Sequence, residues 1–489
     1  MGVLTELYRP SLALLTDLYE LTMAFGFWKT GIRDREAVFH LYFRENPFQG
    51  GFAVACGLEL IVDYLEHLKF EQDDLDYLAR VPGADGKPIF DPAFLDFLGR
   101  MRFECDVDAV PEGTVVFAHE PLVRVQGPVI QSQILETPLL TIINFQTLIA
   151  TKAARVVLAA RGEPVLEFGL RRAQGVDGGI SASRAAYIGG VAGTSNVMAG
   201  RLFGIPVRGT HAHSWVMCFD SEREAFQKYA EAMPNNCIFL VDTYDTLEGV
   251  RNAVEVGRWL RQQGHEMLGV RLDSGDLAWL SIEARKILDE AGFQNAAILA
   301  SSELDEYIIT SLKEEQDARI NVWGVGTRLA TGNGQGALGG VYKLSAVRRG
   351  GGPWEDRVKI SELMVKASTP GILQVRRFFR DGEALADAIF DQRHPITGPC
   401  VIVDPKDITR CKTIAAGTRS EDLLVPVFRG GNRVYDPPPL EAVRRRTQDQ
   451  LALFHPGIKR FINPHEYPVG LERHLHDHKT RMILAARKL

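Results

Sequence analysis

The residues able to do chemistry in this 489-residue chain gather at the ends of short apolar runs. The runs are Val165-Leu-Glu-Phe-Gly169, Ile205-Pro-Val-Arg-Gly-Thr210, Ile238-Phe-Leu-Val-Asp242, Met267-Leu-Gly-Val-Arg-Leu-Asp273, Ala297-Ile-Leu-Ala-Ser-Ser302 and Ile320-Asn-Val-Trp-Gly-Val-Gly326. At or just past their ends, and between them, stand Phe168 with Arg171, Thr194 with Ser195, His213, Asp242, Arg271 with Asp273, Ser274 and Gly275, Ser301 with Ser302, and Gly324 with Gly326 and Thr327. The set holds an aromatic ring that can stack, arginines, a histidine, two acids and a glycine-hydroxyl loop. It suits an anionic, phosphate-bearing substrate and a metal ion. Each such residue can also be a plain turn former, so the reading rests on the set rather than on any member.

Three motifs need a second reading. Gly324 and Gly326 would let backbone N–H groups approach a phosphate, but a Gly-x-Gly after a strand is often just a turn. Gly209-Thr-His-Ala-His213 resembles the opening of a barrel zinc site. Such a site needs further histidines on later strands, and the next one, His265, falls before its strand at the wrong end. His213 therefore reads as an acid, base or nucleophile. Arg473-His-Leu-His-Asp-His478 reads as a solvated helix face, with no metal site assigned.

The elements that must position these residues follow from periodicity. The runs are short, aliphatic and bounded by turn residues, as buried parallel strands are. Between them, Leu277, Leu280, Ala284, Ile287 and Leu288 keep one helix face, as do Leu247, Val250 and Val254. Strands alternating with helices predict an α/β fold with a parallel sheet. Strand ends recurring every 19–31 residues favour an irregular (β/α) barrel, with an open sheet as the alternative. Residues 12–28 read as a helix, and 36–43 and 114–134 as strands. Strand-like runs return over 341–380. The expected organisation is an α+β domain over 1–150 completed by about 346–385, a catalytic barrel over 151–345, and a loop-rich C-terminal region over 386–489.

Composition limits the function classes. The net charge is −6, and no basic block dominates, which argues against nucleic acid or membrane surfaces as partners. Six scattered cysteines form no CxxC pair and read as free thiols of a reducing compartment. The first residues lack a signal-peptide pattern, and no run of about 18 apolar residues predicts a membrane helix. The expected location is the cytoplasm.

The motifs, taken in order, resemble the nicotinate phosphoribosyltransferases of NAD salvage. The resemblance is carried by Leu15-Thr-Asp-Leu-Tyr-Glu-Leu-Thr-Met23, Phe43-Arg-Glu-Asn-Pro-Phe48 with Gly57-Leu-Glu59, Glu167-Phe-Gly-Leu-Arg-Arg172, Gly193-Thr-Ser-Asn196, Gly209-Thr-His-Ala-His213, Val270-Arg-Leu-Asp-Ser-Gly275 and Gly324-Val-Gly-Thr327. Lys359, Ser361-Glu362, Lys366 and Pro370-Gly371 resemble the post-barrel segment, and Asn463-Pro-His-Glu-Tyr-Pro-Val469 the C-terminal one. Residues 380–460 match least.

The resemblance implies that nicotinate and phosphoribosyl pyrophosphate give nicotinate mononucleotide and pyrophosphate, with ATP hydrolysed alongside. It implies transient phosphorylation of His213. Phe168 and Tyr19 would sandwich the pyridine ring, Tyr19 coming from a neighbouring subunit, so a homodimer with shared sites is expected. Arg171 and Arg271 would take the carboxylate and donor phosphates, in undivided roles. Asp242 and Asp273 would lie near the ribose and Mg²⁺-pyrophosphate, with Asp273 holding Mg²⁺ directly or through water. Thr210, Ser274, Gly275 and Ser301 would complete the substrate site, and Gly324, Gly326 and Thr327 would hold the 5′-phosphate. Nicotinamide-using relatives place an aspartate where this chain has Ser195. A serine spares the nicotinate carboxylate that repulsion, so nicotinate is the expected ring. Quinolinate-using relatives are much shorter and lack the phosphorylated histidine. A catalytically silent barrel is the remaining alternative.

Overall fold

A computed structural model describes residues 11–360, 367–405 and 407–487. The expectation about the first ten residues, and the motif residues Ser361, Glu362 and Lys366, lie outside the described residues. The chain divides into two compact units. One comprises 1–147, 337–439 and 449–489; the other comprises 148–336 and 440–448.

The second unit is built on six parallel strands. Their order is Gly193–Thr194, Val165–Glu167, Val322–Val325, Ala297–Ser302, Gly269–Leu272 and Ile238–Leu240. Five of the six apolar runs are strands. The sixth, 205–210, contributes only a single parallel bridge from Val207 to Thr194. Gly193–Thr194, too short to show any periodicity, takes that place as the sheet's second strand. Helices Thr246–Gln262 and Leu277–Glu290 lie where the 3.6-residue spacing puts them, and each is capped by the aspartate before it, Asp245 and Asp276. Chain neighbours are sheet neighbours except that Val165–Glu167 pairs Val322–Val325, which leaves Gly193–Thr194 and Ile238–Leu240 at the two edges. Among the described residues, no backbone pairing joins the Val207 segment to Ile238–Leu240.

The first unit holds two larger sheets. One runs Glu355–Asp356, Gly340–Arg349, Arg35–Phe43, Val123–Pro128, Asp106–Ala109, Val425–Arg429 and Asn432–Arg433. The other runs Cys411–Ile414, Cys400–Val403, Val469–Glu472, Glu383–Asp391, Leu373–Arg380 and Ser420–Asp422. The N-terminal helix spans Leu18–Lys29, later than the expected 12–28. The stretch expected as strand over 114–134 ends in a helix, Val129–Ile134.

The region beyond 386 is not loop-rich. It supplies strands to both sheets of the first unit, the helix Arg473–Arg487, and the helix Leu440–Ala452, part of which belongs to the second unit. Its strands beyond Asp391 are only two to five residues long, several are polar, and Pro426 and Gly470 sit within two of them, so their sequence carries little strand periodicity.

The long helix Glu136–Ala160 also departs from expectation. With Val129–Ile134 it forms a helical stretch that contains an 18-residue window long and apolar enough to cross a membrane. Most of that stretch is buried in the protein. Its Lys152 and Arg155 are buried too, and both pair with Glu306, at 2.7 and 2.8 Å. Removing one partner of such a buried set costs about 3–5 kcal/mol, so the helix is fixed in place by an acid 150 residues away.

Candidate active site

A cavity of about 500 Å³ opens at the C-terminal ends of the parallel strands. That is the size and the place in which an α/β sheet takes a small ligand. Eleven expected residues line it: Phe168, Arg171, Ser195, Thr210, Arg271, Asp273, Ser301, Ser302, Gly324, Gly326 and Thr327.

The floor is an interlocked set of side chains. Arg271, from Gly269–Leu272, donates from Nε to Ser301 Oγ at 2.7 Å and from Nη1 to Thr210 Oγ1 at 2.8 Å. Its Nη2 donates to Asp273 Oδ1 at 3.1 Å. Ser301 Oγ donates its own hydrogen bond to the same Asp273 oxygen at 2.5 Å. Four residues from three chain segments thus hold one another in place before any substrate arrives.

Behind this floor lies Asp242. Its Oδ2 accepts from Ser274 Oγ at 2.5 Å and from the Asp273 backbone N–H at 3.3 Å. Its Oδ1 is buried and has no hydrogen-bond partner. His213 Nε2 stands 4.0 Å from that oxygen and 3.9 Å from Asp273 Oδ2, while its Nδ1 meets Thr243 Oγ1 at 3.2 Å. One imidazole therefore faces two carboxylates. Ser274 acts on Asp242 rather than on the cavity, and neither Gly275, Asp242 nor His213 lines the cavity. Gly275 has φ +81, the left-handed turn that carries the chain from strand into helix.

The other histidine of the HxH pair has a different task. His211 is buried, and its Nε2 accepts the Leu240 backbone N–H at 3.3 Å. It lies where the Val207 segment and Ile238–Leu240 make no backbone pair, and its imidazole substitutes for the missing ladder bond. Burial, then Arg271 and His213, push its pKa down to about 4, so it stays neutral and able to accept.

The aromatic wall explains a glycine. A Cβ on Gly324 would stand 2.8 Å from Phe168 Cδ2 and Cε2. The ring lies directly on that backbone, so Gly324 is required by Phe168 as well as by any phosphate. Phe168 is set by Glu167, a buried acid inside an otherwise apolar strand. Glu167 accepts from the Gly169 N–H, from Ser183 Oγ at 2.9 Å and from Thr194 Oγ1 at 2.6 Å. Thr194 in turn receives the Asn196 N–H at 2.9 Å. This network fixes the half-buried Ser195 between its neighbours. Glu167 was not singled out from sequence, although an acid within Val-Leu-Glu-Phe is the signal that could have found it.

The outer wall is more open. Arg172 donates from Nη1 to Glu303 Oε1 at 3.0 Å, and Thr327 Oγ1 donates to the same oxygen at 3.4 Å. Arg171 is exposed on the one-turn helix Leu170–Arg172. Glu303 and Arg172 line the cavity and were not assigned from sequence. Tyr19 belongs to the first unit, on Leu18–Lys29, where it is about half exposed, and is not among the residues lining the cavity.

The donor set also bears on a cation. Among the described residues, no three of His, Cys, Asp and Glu converge as metal ligands. The partnerless Asp242 Oδ1 and the Asp273 Oδ2, each about 4 Å from His213 Nε2, suit an ion such as Mg²⁺, which takes one or two protein carboxylates and keeps its waters.

Known proteins share this architecture. Residues 14–144 match the nicotinate phosphoribosyltransferase N-terminal domain, 164–351 the nicotinate phosphoribosyltransferase family, and 373–479 its C-terminal domain. A nicotinate phosphoribosyltransferase of Bacillus subtilis (strain 168) is 42% identical over 97% of this chain and 95% of its own. The crystal structure of human nicotinic acid phosphoribosyltransferase superposes with a TM-score of 0.83 at 33% identity, covering 96% of this chain and 99% of that one. A nicotinate-nucleotide pyrophosphorylase from Pyrococcus furiosus shares the fold, with a TM-score of 0.68 at 23% identity over 90% of this chain and 95% of its own. With these motifs in this order and relatives matched end to end, the chain belongs to the nicotinate phosphoribosyltransferase family.

Proposed function

We propose that this chain is the nicotinate phosphoribosyltransferase of an NAD salvage route. It joins nicotinate to the ribose of phosphoribosyl pyrophosphate, giving nicotinate mononucleotide and pyrophosphate, with ATP and water converted to ADP and phosphate. The observation that carries the reading is the single cavity gathering Phe168, Ser195, Arg271, Asp273 and Thr327. Phe168 offers a face for the pyridine. Ser195 offers a hydroxyl and no charge beside the ring's carboxylate. Arg271 is held at three points, so its guanidinium is preorganised for an anion. We assign it to the reacting end, and the exposed Arg171 to substrate capture.

Asp242 and Asp273 place negative charge where an oxocarbenium-like ribose would develop positive charge. They are also the residues that would hold Mg²⁺, which would neutralise the departing pyrophosphate. His213, between these acids, is the group we assign to accept a phosphoryl from ATP. Thr210 and Ser301 orient Arg271, while Gly324, Gly326 and Thr327 form the 5′-phosphate loop. We read the parallel sheet as an irregular barrel whose seam, between Val207 and Leu240, is bridged by His211. Tyr19 closes the pyridine site from a second copy in a homodimer, and the enzyme works in the cytoplasm.

The test is to incubate the protein with phosphoribosyl pyrophosphate and nicotinate, nicotinamide or quinolinate, with and without ATP. The expected outcome is mononucleotide from nicotinate, stimulated by ATP, with ADP released. A mass increase of one phosphoryl group after ATP is expected in the wild type and not in His213→Ala. Product from quinolinate alone would reject the reading.

A further inference from the structure

We propose that Glu303 is a resident substitute for the substrate's phosphate: its carboxylate occupies the anion-binding wall until a phosphate monoester displaces it. This rests on the reading that Thr327 and its adjoining glycines take the 5′-phosphate.

Three donors converge on this one carboxylate. Arg172 Nη1 is 3.0 Å from Oε1, Thr327 Oγ1 is 3.4 Å from the same oxygen, and Arg328 Nε is 3.8 Å from Oε2. Arg172 Nη1 also reaches Thr327 Oγ1 at 3.5 Å. Two guanidiniums and a hydroxyl around one anion is how proteins hold phosphate. Here the anion is supplied by the chain itself, one residue past the strand Ala297–Ser302. Only Glu303 is placed to leave. Arg328 keeps its stronger partner, Asp305 Oδ2 at 2.5 Å, and Asp305 is buried as the cap of helix Glu306–Glu314. Thr327 is fixed at the start of Thr327–Ala330.

The pairing is weak enough to exchange. Arg172 and Glu303 side chains are each more than half exposed, at 58% and 54%, and such pairs are worth little in water. A phosphate monoester brings up to two charges and three acceptor oxygens, so it wins the contest where a single carboxylate does not. Glu303 thereby keeps Arg172 aimed at Thr327 in the empty site and raises the threshold for singly charged anions. It is a specificity residue, and its removal should be a gain for phosphate.

The experiment measures binding of inorganic phosphate to the full chain by titration calorimetry, for wild type, Glu303→Gln, Glu303→Ala, Arg172→Ala and the Glu303→Gln/Arg172→Ala double variant. No pyridine is present. Removing the competing charge is expected to tighten phosphate about fivefold, the factor equivalent to one exposed ion pair. The KM for phosphoribosyl pyrophosphate should fall in parallel. Arg172→Ala should weaken phosphate, and the gain from Glu303→Gln should shrink in that background. Unchanged or weaker phosphate binding in both Glu303 variants, with melting temperature retained, overturns the proposal. A gain in phosphate affinity in a protein that does not turn over nicotinate would keep it and reject the reaction instead.

Discussion

The floor and the outer wall of the cavity use the same residue types in opposite ways. On the floor, Arg271 is held by Thr210, Ser301 and Asp273 and is mostly buried. On the wall, Arg172 meets one exposed glutamate, and Arg171 stands in solvent. A guanidinium fixed at three points pays its ordering cost during folding, so it can act on a transition state. One held by a single exposed carboxylate can still choose its partner, so it can capture and release a substrate. Catalytic demand and binding demand thus fall on different elements of one cavity, the strand Gly269–Leu272 and the turn Leu170–Arg172.

The sharpest way to break this comparison is Arg271→Ala. Turnover should fall by about two to three orders of magnitude, as for loss of one preorganised donor, and Arg271→Lys should not restore it because the fork of contacts is lost. Steady-state kinetics for both variants checks this. Comparable losses from Arg171→Ala would erase the distinction between floor and wall.

Ser195→Asp comes next. A carboxylate introduced ~4 Å from the ring's own would cost about 1–4 kcal/mol between aqueous and protein-like dielectric, and should open the site to nicotinamide. Kinetics with both rings reads the change. Identical nicotinate constants would mean that Ser195 does not face the carboxylate.

Smaller effects are expected in stability. His211 holds its folded pKa near 4 against an ordinary 6.5. The unfolded chain therefore takes up the proton first on acidification. The stabilisation is complete above about pH 6.5 and is lost as pH falls from there toward 4. His211→Asn should flatten that part of the stability profile, measured by denaturant melts across pH. A slope that persists in the variant would place the titration elsewhere.

Glu20 in the first unit runs the other way. It is buried, its Oε1 has no partner, and Gln133 donates to Oε2 at 2.8 Å. Burial raises its pKa to about 7. Its contribution is complete below about pH 4.5 and is lost as pH rises through 7. Glu20→Gln should remove this loss toward neutral pH, checked by the same melts.

Much of this site was legible because parallel strands end in the residues that face a ligand. Eleven positions read from run ends line one cavity. What escaped had physical reasons. Glu167 and His211 act within the core, where their task is to satisfy neighbours, and polar core residues leave no periodic mark. Glu303 left no mark in the sequence because its partners lie 131 and 24 residues away in the chain. In the fold, Gly193–Thr194 is a two-residue strand that no pattern can reveal. The C-terminal strands were hidden by their length of two to five residues and by turn residues such as Pro426 and Gly470, and the buried helix Glu136–Ala160 by Lys152 and Arg155, which pair with Glu306.

The contact between Phe168 and Gly324 also constrains how such a chain can change over generations. Position 324 has no small step available: even one methyl group would strike the ring at 2.8 Å and crowd Ser301 Cβ at 3.1 Å. A larger residue becomes admissible there only after Phe168 has shrunk or turned, and that would remove the surface on which a flat ligand lies. Change at 324 is therefore vetoed by the ring at 168, and a new ring preference has to begin at 168 before 324 can follow.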